Sequence, residues 1–163
     1  FDEERFVTRG RHIGVFETRL GRIAVLICED VWHEVLPTIC AVRGAQLVLI
    51  LAASPARGFS GPGIENHDRY RRLFRAVAEE HAVYTACAQL IGFEGGKGFV
   101  GGSMVVDPTG EVMVEAPINE PHMVVAEIDF DLVAITRAQS PLLSDLMSAW
   151  QDVRRLVDET EVA

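Results

Sequence analysis

The sequence is poor in cysteine and in positive charge, and it contains no long apolar run. Among its 163 residues, 15 lysines and arginines stand against 24 aspartates and glutamates, and the net charge of −9 argues against a nucleic-acid-binding surface. The longest apolar run, Leu47 to Ala53, falls far short of the roughly 20 residues that cross a bilayer, and no basic-then-apolar leader precedes it. We therefore expect a globular protein whose partners are small molecules or proteins, with no nucleic acid and no membrane among them.

The three cysteines, Cys28, Cys40 and Cys87, are an odd number and form no Cys-x-x-Cys pair. This usage fits free thiols in a reducing compartment better than a disulfide framework, so we expect a cytoplasmic protein. The histidines lack the spacing of metal ligands, because no two of them stand four residues apart with a glutamate between. The sequence therefore implies no metal site.

The candidate for chemistry is a thiol at the end of an apolar strand. Residues 23–32 read Ile-Ala-Val-Leu-Ile-Cys-Glu-Asp-Val-Trp, so the strand stops at Cys28. Because open α/β sheets bind ligands at the carboxyl ends of their strands, Cys28 is a candidate nucleophile. The alternative is a buried structural cysteine, since cysteine is among the most buried residue types. His33 is close enough in sequence to pair with the thiol, although a solvated surface histidine is the favoured interpretation.

Electrostatics around Cys28 favour the thiol over the thiolate. A nucleophilic cysteine needs a cation, a base or a helix amino terminus nearby, whereas Glu29 and Asp30 follow it directly. The positive charge or base must therefore come from elsewhere in the protein.

The pattern of apolar residues predicts an α/β fold. Residues 13–18 and 23–28 predict a hairpin, and a helix at 34–43 followed by a strand at 46–51 predicts parallel strands. An amphipathic helix is expected at 65–82, where apolar side chains recur at helical spacing. Further strands are expected at 83–91, 102–106, 111–115 and 123–128.

Three other segments have plain structural interpretations. Residues 52–63 contain several glycines and prolines and predict a loop beside Cys28. The glycine-rich stretch 95–102 lacks the ending of a phosphate loop and predicts a flexible link between strands. The predicted long helix carries a group of arginines that alternate with acids, the pattern of a solvated helix face. These arginines are Arg69, Arg71, Arg72 and Arg75.

The last 25 or so residues form a separate unit in this interpretation. Residues 139–163 place large apolar side chains on one helical face, which predicts a tail that docks on the rest of the protein or on a second subunit. We therefore divide the chain into a domain at 1–138 and a helical tail with a dimer contact at 139–163.

Several short motifs together resemble the carbon-nitrogen hydrolase, or nitrilase, superfamily over roughly residues 1–130. The resemblance implies an α-β-β-α sandwich, of which this chain supplies the later part. It also implies that subunits pair across a helical face, so we expect a homo-oligomer. The motifs are Ile27–Trp32, Arg43–Ala45, Ala53–Pro55, Phe99–Ser103 and Asp107–Gly110.

The resemblance also implies a reaction and its residues. The family uses a Glu-Lys-Cys triad and a second glutamate to hydrolyse amides, nitriles or carbamoyl groups, without a metal or an organic cofactor. Cys28 matches the nucleophile, and the backbone N–H of Glu29 matches a position that holds the oxyanion. Glu3 matches the second glutamate, with Glu4 as the alternative. The general-base glutamate and the lysine are expected to precede Phe1, so we expect these residues to be inactive alone.

Within the superfamily, the Cys-Glu-Asp and Ser-Pro motifs resemble the glutaminase domains of NAD synthetases and neighbouring hydrolases. There, Glu29 and Ser54 match positions that bind the amino group of glutamine, and Arg57 matches a residue that binds its carboxylate. Trp32 is expected to line the pocket or to pack beneath it. The first hypothesis is thus an amidohydrolase that releases ammonia from a small linear amide. A glutaminase domain that feeds a synthetase and a non-catalytic interaction module are the alternatives.

Overall fold

The computed structural model describes residues 5–56 and 64–160. Within these ranges the strands are β1 (Val15–Thr18), β2 (Gly21–Ile27), β3 (Leu47–Ala52), β4 (Tyr84–Gln89), β5 (Ile91–Glu94), β6 (Lys97–Val100), β7 (Met104–Val106) and β8 (Val112–Glu115). The helices are α1 (Val35–Val42), α2 (Glu65–His81), α3 (Phe130–Gln139), α4 (Leu142–Ser148) and α5 (Trp150–Asp158), and a 3-10 turn spans Cys28–Trp32. No helix in the described ranges is both long and apolar enough to traverse a bilayer.

A six-stranded mixed sheet has the order β1-β2-β3-β4-β7-β8. The β1–β2 hairpin and the parallel β2–β3 pair confirm the predicted hairpin and the predicted strand, helix, strand unit. Strand β4 continues the parallel arrangement. Across these three strands, Leu51 of β3 lies beside Ile27 of β2 and beside Ala88 of β4. Because β2, β3 and β4 run in one direction, Cys28 and the loops after β3 and β4 meet at one edge of the sheet.

The core lies between this sheet and the helices on one of its faces. Alternate residues of β2 and β3 point toward the helices, because successive side chains of a strand point to opposite faces. Helix α2 buries the apolar stripe predicted for it, and Phe74 in that stripe is fully buried. Burial of such a side chain contributes roughly 1.5–3 kcal/mol. The core residues of these elements are Ala24, Leu26, Val48, Ile50, Phe74, Val77 and Ala78.

Among the described residues, cover on the opposite face of the sheet lies at one end. Helix α3 packs Val133 against Leu47 and Tyr84 at the amino ends of the parallel strands. At the carboxyl ends, Ile27 and Leu51 remain 62% and 55% exposed. One helix layer on one sheet, with an apolar outer face, is the arrangement expected for the later part of an α-β-β-α sandwich.

Two segments have structures that differ from those predicted for them. The stretch predicted as a flexible link is part of a hairpin, in which β5 and β6 pair across Gly95 and Gly96. Both glycines have positive φ, the conformation that a two-residue hairpin turn requires. Residues 123–128 form no strand, although their exposure alternates along the chain. A strand needs a hydrogen-bonded neighbour, and no described strand pairs with this segment.

The tail is two helices instead of one. Helix α4 ends at Ser148 and α5 begins at Trp150, so the predicted apolar face is interrupted at Ala149. Leu143 of α4 is buried in the main core, whereas Val157 of α5 is 65% exposed. The first half of the tail therefore packs on its own domain through Leu143, and both α4 and α5 leave other apolar side chains exposed.

Candidate active site

Cys28 stands at a sharp turn immediately after β2. Its φ of +50° lies in the left-handed region, which a residue with a Cβ atom rarely adopts. The Asp30 carboxylate accepts a hydrogen bond of 2.9 Å from the backbone N–H of Ile27 and closes the turn. Backbone conformations of this kind cost about 1–3 kcal/mol and cluster at active sites. The predicted position of the thiol at the carboxyl end of a core strand is confirmed.

The nearest recorded side-chain partner of the thiol is Tyr70 of α2. The Cys28 Sγ and Tyr70 Oη atoms are 3.6 Å apart, within the range of hydrogen bonds to sulfur. Burial, and after it the neighbouring Cys28, raises the pKa of the phenol well above its ordinary range, against opposing effects of Trp32 and Ser54. Tyr70 therefore remains a protonated, neutral hydroxyl at physiological pH.

The contact between Cys28 and Tyr70 was not anticipated from the sequence. Helical periodicity assigned Tyr70 to the apolar face of α2, and the side chain is indeed 1% exposed. A signal was nevertheless present, because a buried tyrosine normally finds a partner for its hydroxyl group.

Ser54 lies in the loop after β3 and borders the same region as Tyr70. Its Oγ accepts a short hydrogen bond from the Asn66 side-chain amide, which also donates to the Pro55 carbonyl oxygen at 2.9 Å. Ser54 and Tyr70 line one small cavity together with Gln89 at the end of β4. The structure therefore places Ser54 on the same side of the sheet edge as the thiol, with its hydroxyl oriented by Asn66.

Trp32 closes the 3-10 turn and packs on the tyrosine. Its ring meets Tyr70 edge to face with the centroids 5.4 Å apart, and the Arg69 guanidinium carbon lies 4.0 Å from the indole centroid. The indole N–H is buried and has no hydrogen-bond partner among the described residues. Trp32 was predicted either to line the pocket or to pack beneath it, and the contacts that it makes here are packing contacts.

Glu29 and His33 face solvent together. The Glu29 carboxylate lies 3.5 Å from His33 Nε2, and both side chains are exposed. The interpretation of His33 as a surface histidine is confirmed, since its recorded partner is Glu29. A role of the Glu29 side chain in substrate binding stays a prediction. Three other predicted residues, Glu3, its alternative Glu4, and Arg57, lie outside the described residues.

An open groove passes over Cys28 along the carboxyl ends of β2, β3 and β4. It has a volume of about 440 Å³ and is lined mostly by aliphatic side chains, with Gln89 as a polar group. Its main lining residues are Ile27, Cys28, Leu51, Ala53, Gln89 and Leu90.

The other two thiols are structural. All three cysteines are free, as predicted, but Cys40 and Cys87 are buried whereas Cys28 is partly exposed. Burial raises the pKa of Cys40 to about 11. Burial, with a smaller effect of Cys28, raises the pKa of Cys87 far above its ordinary range. No group of three or more histidines, cysteines or acids in the described part of the chain is arranged to hold a metal ion.

Sequence comparison identifies relatives over most of the chain. The model of the carbon-nitrogen hydrolase family matches residues 1–138. A hydrolase of Mycobacterium tuberculosis is 35% identical over 153 residues, which cover 88% of this chain and 52% of the relative. The glutamine-dependent NAD(+) synthetase of Thermotoga maritima is 30% identical over 133 residues, which cover 80% of this chain and 22% of the synthetase. The chain thus spans about half the length of the first relative and less of the second.

Solved structures share the fold. A carbon-nitrogen hydrolase from Helicobacter pylori has a TM-score of 0.79 at 23% identity, and the match covers 88% of this chain and 52% of that one. An amidase from Nesterenkonia sp. has a TM-score of 0.63 at 34% identity, and the match covers 82% of this chain and 49% of that one. In that structure acrylamide has added to the active-site cysteine. These likenesses confirm the predicted fold class.

Proposed function

This chain belongs to the carbon-nitrogen hydrolase family, and from that premise we propose that it supplies the nucleophile of an enzyme that hydrolyses a small linear amide. The observation that carries the proposal is the strained turn at Cys28, which holds a partly exposed thiol at the carboxyl ends of the parallel strands. The covalent modification of the active-site cysteine in the Nesterenkonia amidase supports the same role for Cys28.

The proposed reaction proceeds in two steps through a thioester. The Cys28 thiolate attacks the carbonyl carbon of the amide, and the C–N bond breaks as the amide nitrogen takes up the proton that the thiol had given to the base and leaves as ammonia. Water then attacks the thioester, which releases the carboxylic acid and restores the thiol. The backbone N–H of Glu29 is proposed to stabilise the oxyanion in both steps. The glutamate that takes up the thiol proton and the lysine beside it are implied by the family resemblance and are not assigned to residues of this sequence.

The test is ammonia release by the complete gene product on a panel of small linear amides. We expect turnover in the wild type and in the matched control Cys40→Ala, and no detectable turnover in Cys28→Ala. Mass spectrometry of a quenched reaction should locate the acyl group on the peptide that contains Cys28. Turnover that persists in Cys28→Ala would contradict the proposal. Absent turnover, with the three thiols alkylated at equal rates, would favour a non-catalytic interaction module.

A glutaminase domain is the second candidate, and the likeness to the Thermotoga NAD(+) synthetase favours it. If glutamine is the substrate, ammonia release should be fastest on glutamine and should fall in Ser54→Ala and Glu29→Gln mainly through a higher KM. The matched control is Glu34→Gln, an exposed acid next to the same turn. Equal rates on glutamine and on amides without an amino group would exclude this candidate.

A further inference from the structure

We propose that Tyr70 is a positioning residue for Cys28, whose hydroxyl group donates a hydrogen bond to the sulfur and holds the thiolate in place for attack. The inference rests on the proposed function, because it concerns the nucleophile of that reaction. It adds a residue of α2 that lies 42 positions from Cys28 in the sequence and that the motif comparison did not identify.

The direction of the hydrogen bond follows from the chemistry of the two groups. At 3.6 Å, either the thiol or the phenol can donate while both are protonated. A thiolate has no proton, so once Cys28 ionises only the Tyr70 hydroxyl can donate. The phenol keeps its proton at neutral pH, because burial raises its pKa. A hydrogen bond to the charged form of a group favours that form.

Two aromatic rings pack against Tyr70 and hold it in place. Trp32 meets it edge to face at 5.4 Å, and Phe74 packs on it in a tilted arrangement at 5.3 Å. The Arg69 guanidinium stacks on the ring of Trp32 and adds a cation-π contact there. A ring packed in this way cannot rotate its hydroxyl away from the sulfur without disturbing the core, so the geometry is set before substrate binds.

The other ionisable groups near Cys28 lie on its own turn and on β4. Glu29 and Asp30 follow it on its own turn and are acidic. Cys87 faces it from β4, and burial raises the pKa of that thiol, so it stays protonated and neutral. Tyr70, from α2, is therefore the group that donates a hydrogen bond to the sulfur among these neighbours.

The test compares two tyrosine-to-phenylalanine substitutions in the complete gene product. Tyr70→Phe keeps the ring and removes the hydroxyl group beside the sulfur. The control is Tyr84→Phe, a second buried tyrosine whose hydroxyl donates to the Asp129 carbonyl oxygen at 2.9 Å. The rate at which iodoacetamide alkylates Cys28 is measured across a range of pH by peptide mass spectrometry, with kcat and KM for an amide substrate measured beside it.

We expect Tyr70→Phe to slow Cys28 alkylation at neutral pH about tenfold, as for loss of a hydrogen bond to a charged group. The acid limb of its pH profile should move to higher pH, and kcat should fall with KM nearly unchanged. Tyr84→Phe should show neither change. If the two variants behave alike, or if Tyr70→Phe matches the wild type, the inference is wrong.

The alkylation rates separate this inference from the proposed function. They report on the sulfur whether or not a substrate is turned over. Turnover that persists in Cys28→Ala would overturn the proposed function, but it would not bear on the hydrogen bond between Tyr70 and Cys28. Conversely, normal alkylation in Tyr70→Phe, with activity lost in Cys28→Ala, would overturn only the positioning role.

Discussion

Gly102 lies directly against the imidazole ring of His67. A Cβ atom added to Gly102 would stand 2.5 Å from two ring atoms, and the residue has a φ of +80°. The glycine therefore satisfies two constraints at once, a left-handed backbone and a close approach of the segment before β7 to the start of α2. His67 itself lies 3.3 Å from the Glu115 carboxylate of β8, so the contact joins three elements near the candidate site.

Three glycine-to-alanine substitutions should separate these constraints. Gly10→Ala has open space and no positive φ, so we expect a change in unfolding free energy within about 0.5 kcal/mol. Gly92→Ala has open space but a φ of +117°, and we expect a loss of about 1–2 kcal/mol. Gly102→Ala combines both constraints, so it should lower the unfolding free energy the most. Urea denaturation gives the unfolding free energy of each variant. Equal losses of unfolding free energy in Gly92→Ala and Gly102→Ala would show that the His67 ring moves aside at no cost in stability.

The three thiols should differ in reactivity in the folded protein. Cys28 is partly exposed, whereas Cys40 and Cys87 are buried and have raised pKa values. Because the thiolate is the reactive form, iodoacetamide at neutral pH should label Cys28 at least about tenfold faster than the other two. Peptide mass spectrometry gives the three rates. In urea the rates should become similar, and a selective label on Cys40 or Cys87 before unfolding would contradict the assignment.

The location of Cys28 could be predicted because it depends on short-range patterns. An apolar run that ends in Cys28 is a strand whose end is visible in the sequence, and the parallel arrangement follows from the helix between β2 and β3. Side-chain partners of α2 could not be predicted in this way. The sequence predicted a solvated face for the arginines of α2, whereas Arg71 donates to Glu115 of β8 at 3.0 Å.

The two errors in the predicted secondary structure have the same physical origin. The largely apolar residues at 123–128 favour a strand, but the neighbour that accepts its hydrogen bonds is a tertiary property. In the glycine-rich stretch, composition indicated flexibility, whereas Gly95 and Gly96 serve one tight turn between paired strands. The contact of Tyr70 with Cys28 was missed for the same reason, since periodicity predicts burial of its ring but not the partner of its hydroxyl group.

Helix α5 is proposed to contact a second copy of the chain. Leu156 and Val157 of α5 are 56% and 65% exposed, and the family resemblance implies pairing across helical faces. Val157→Glu should weaken self-association of the complete gene product by more than about tenfold in sedimentation equilibrium, because it places a charge in an apolar contact. The control Gln151→Glu adds the same charge at an exposed polar position of α5. Equal dissociation constants for both variants would place the subunit contact elsewhere.

Stability should fall at alkaline pH because of the buried thiol of Cys40. Its pKa rises from an ordinary value of 9.0 to about 11 in the folded chain, chiefly through burial. Between these two values the unfolded chain has lost the proton while the folded chain retains it, so the unfolded state is favoured progressively as pH rises. The stability contribution of the neutral thiol is therefore complete below pH 9.0 and is lost as pH approaches about 11.

Urea denaturation across this pH range should give a shallower decline of unfolding free energy in Cys40→Ala than in the wild type. Val48→Ala, a truncation at an equally buried site without a titratable group, should lower stability by the same amount at every pH. A decline in Cys40→Ala as steep as that of Val48→Ala would mean that Cys40 does not titrate in this range.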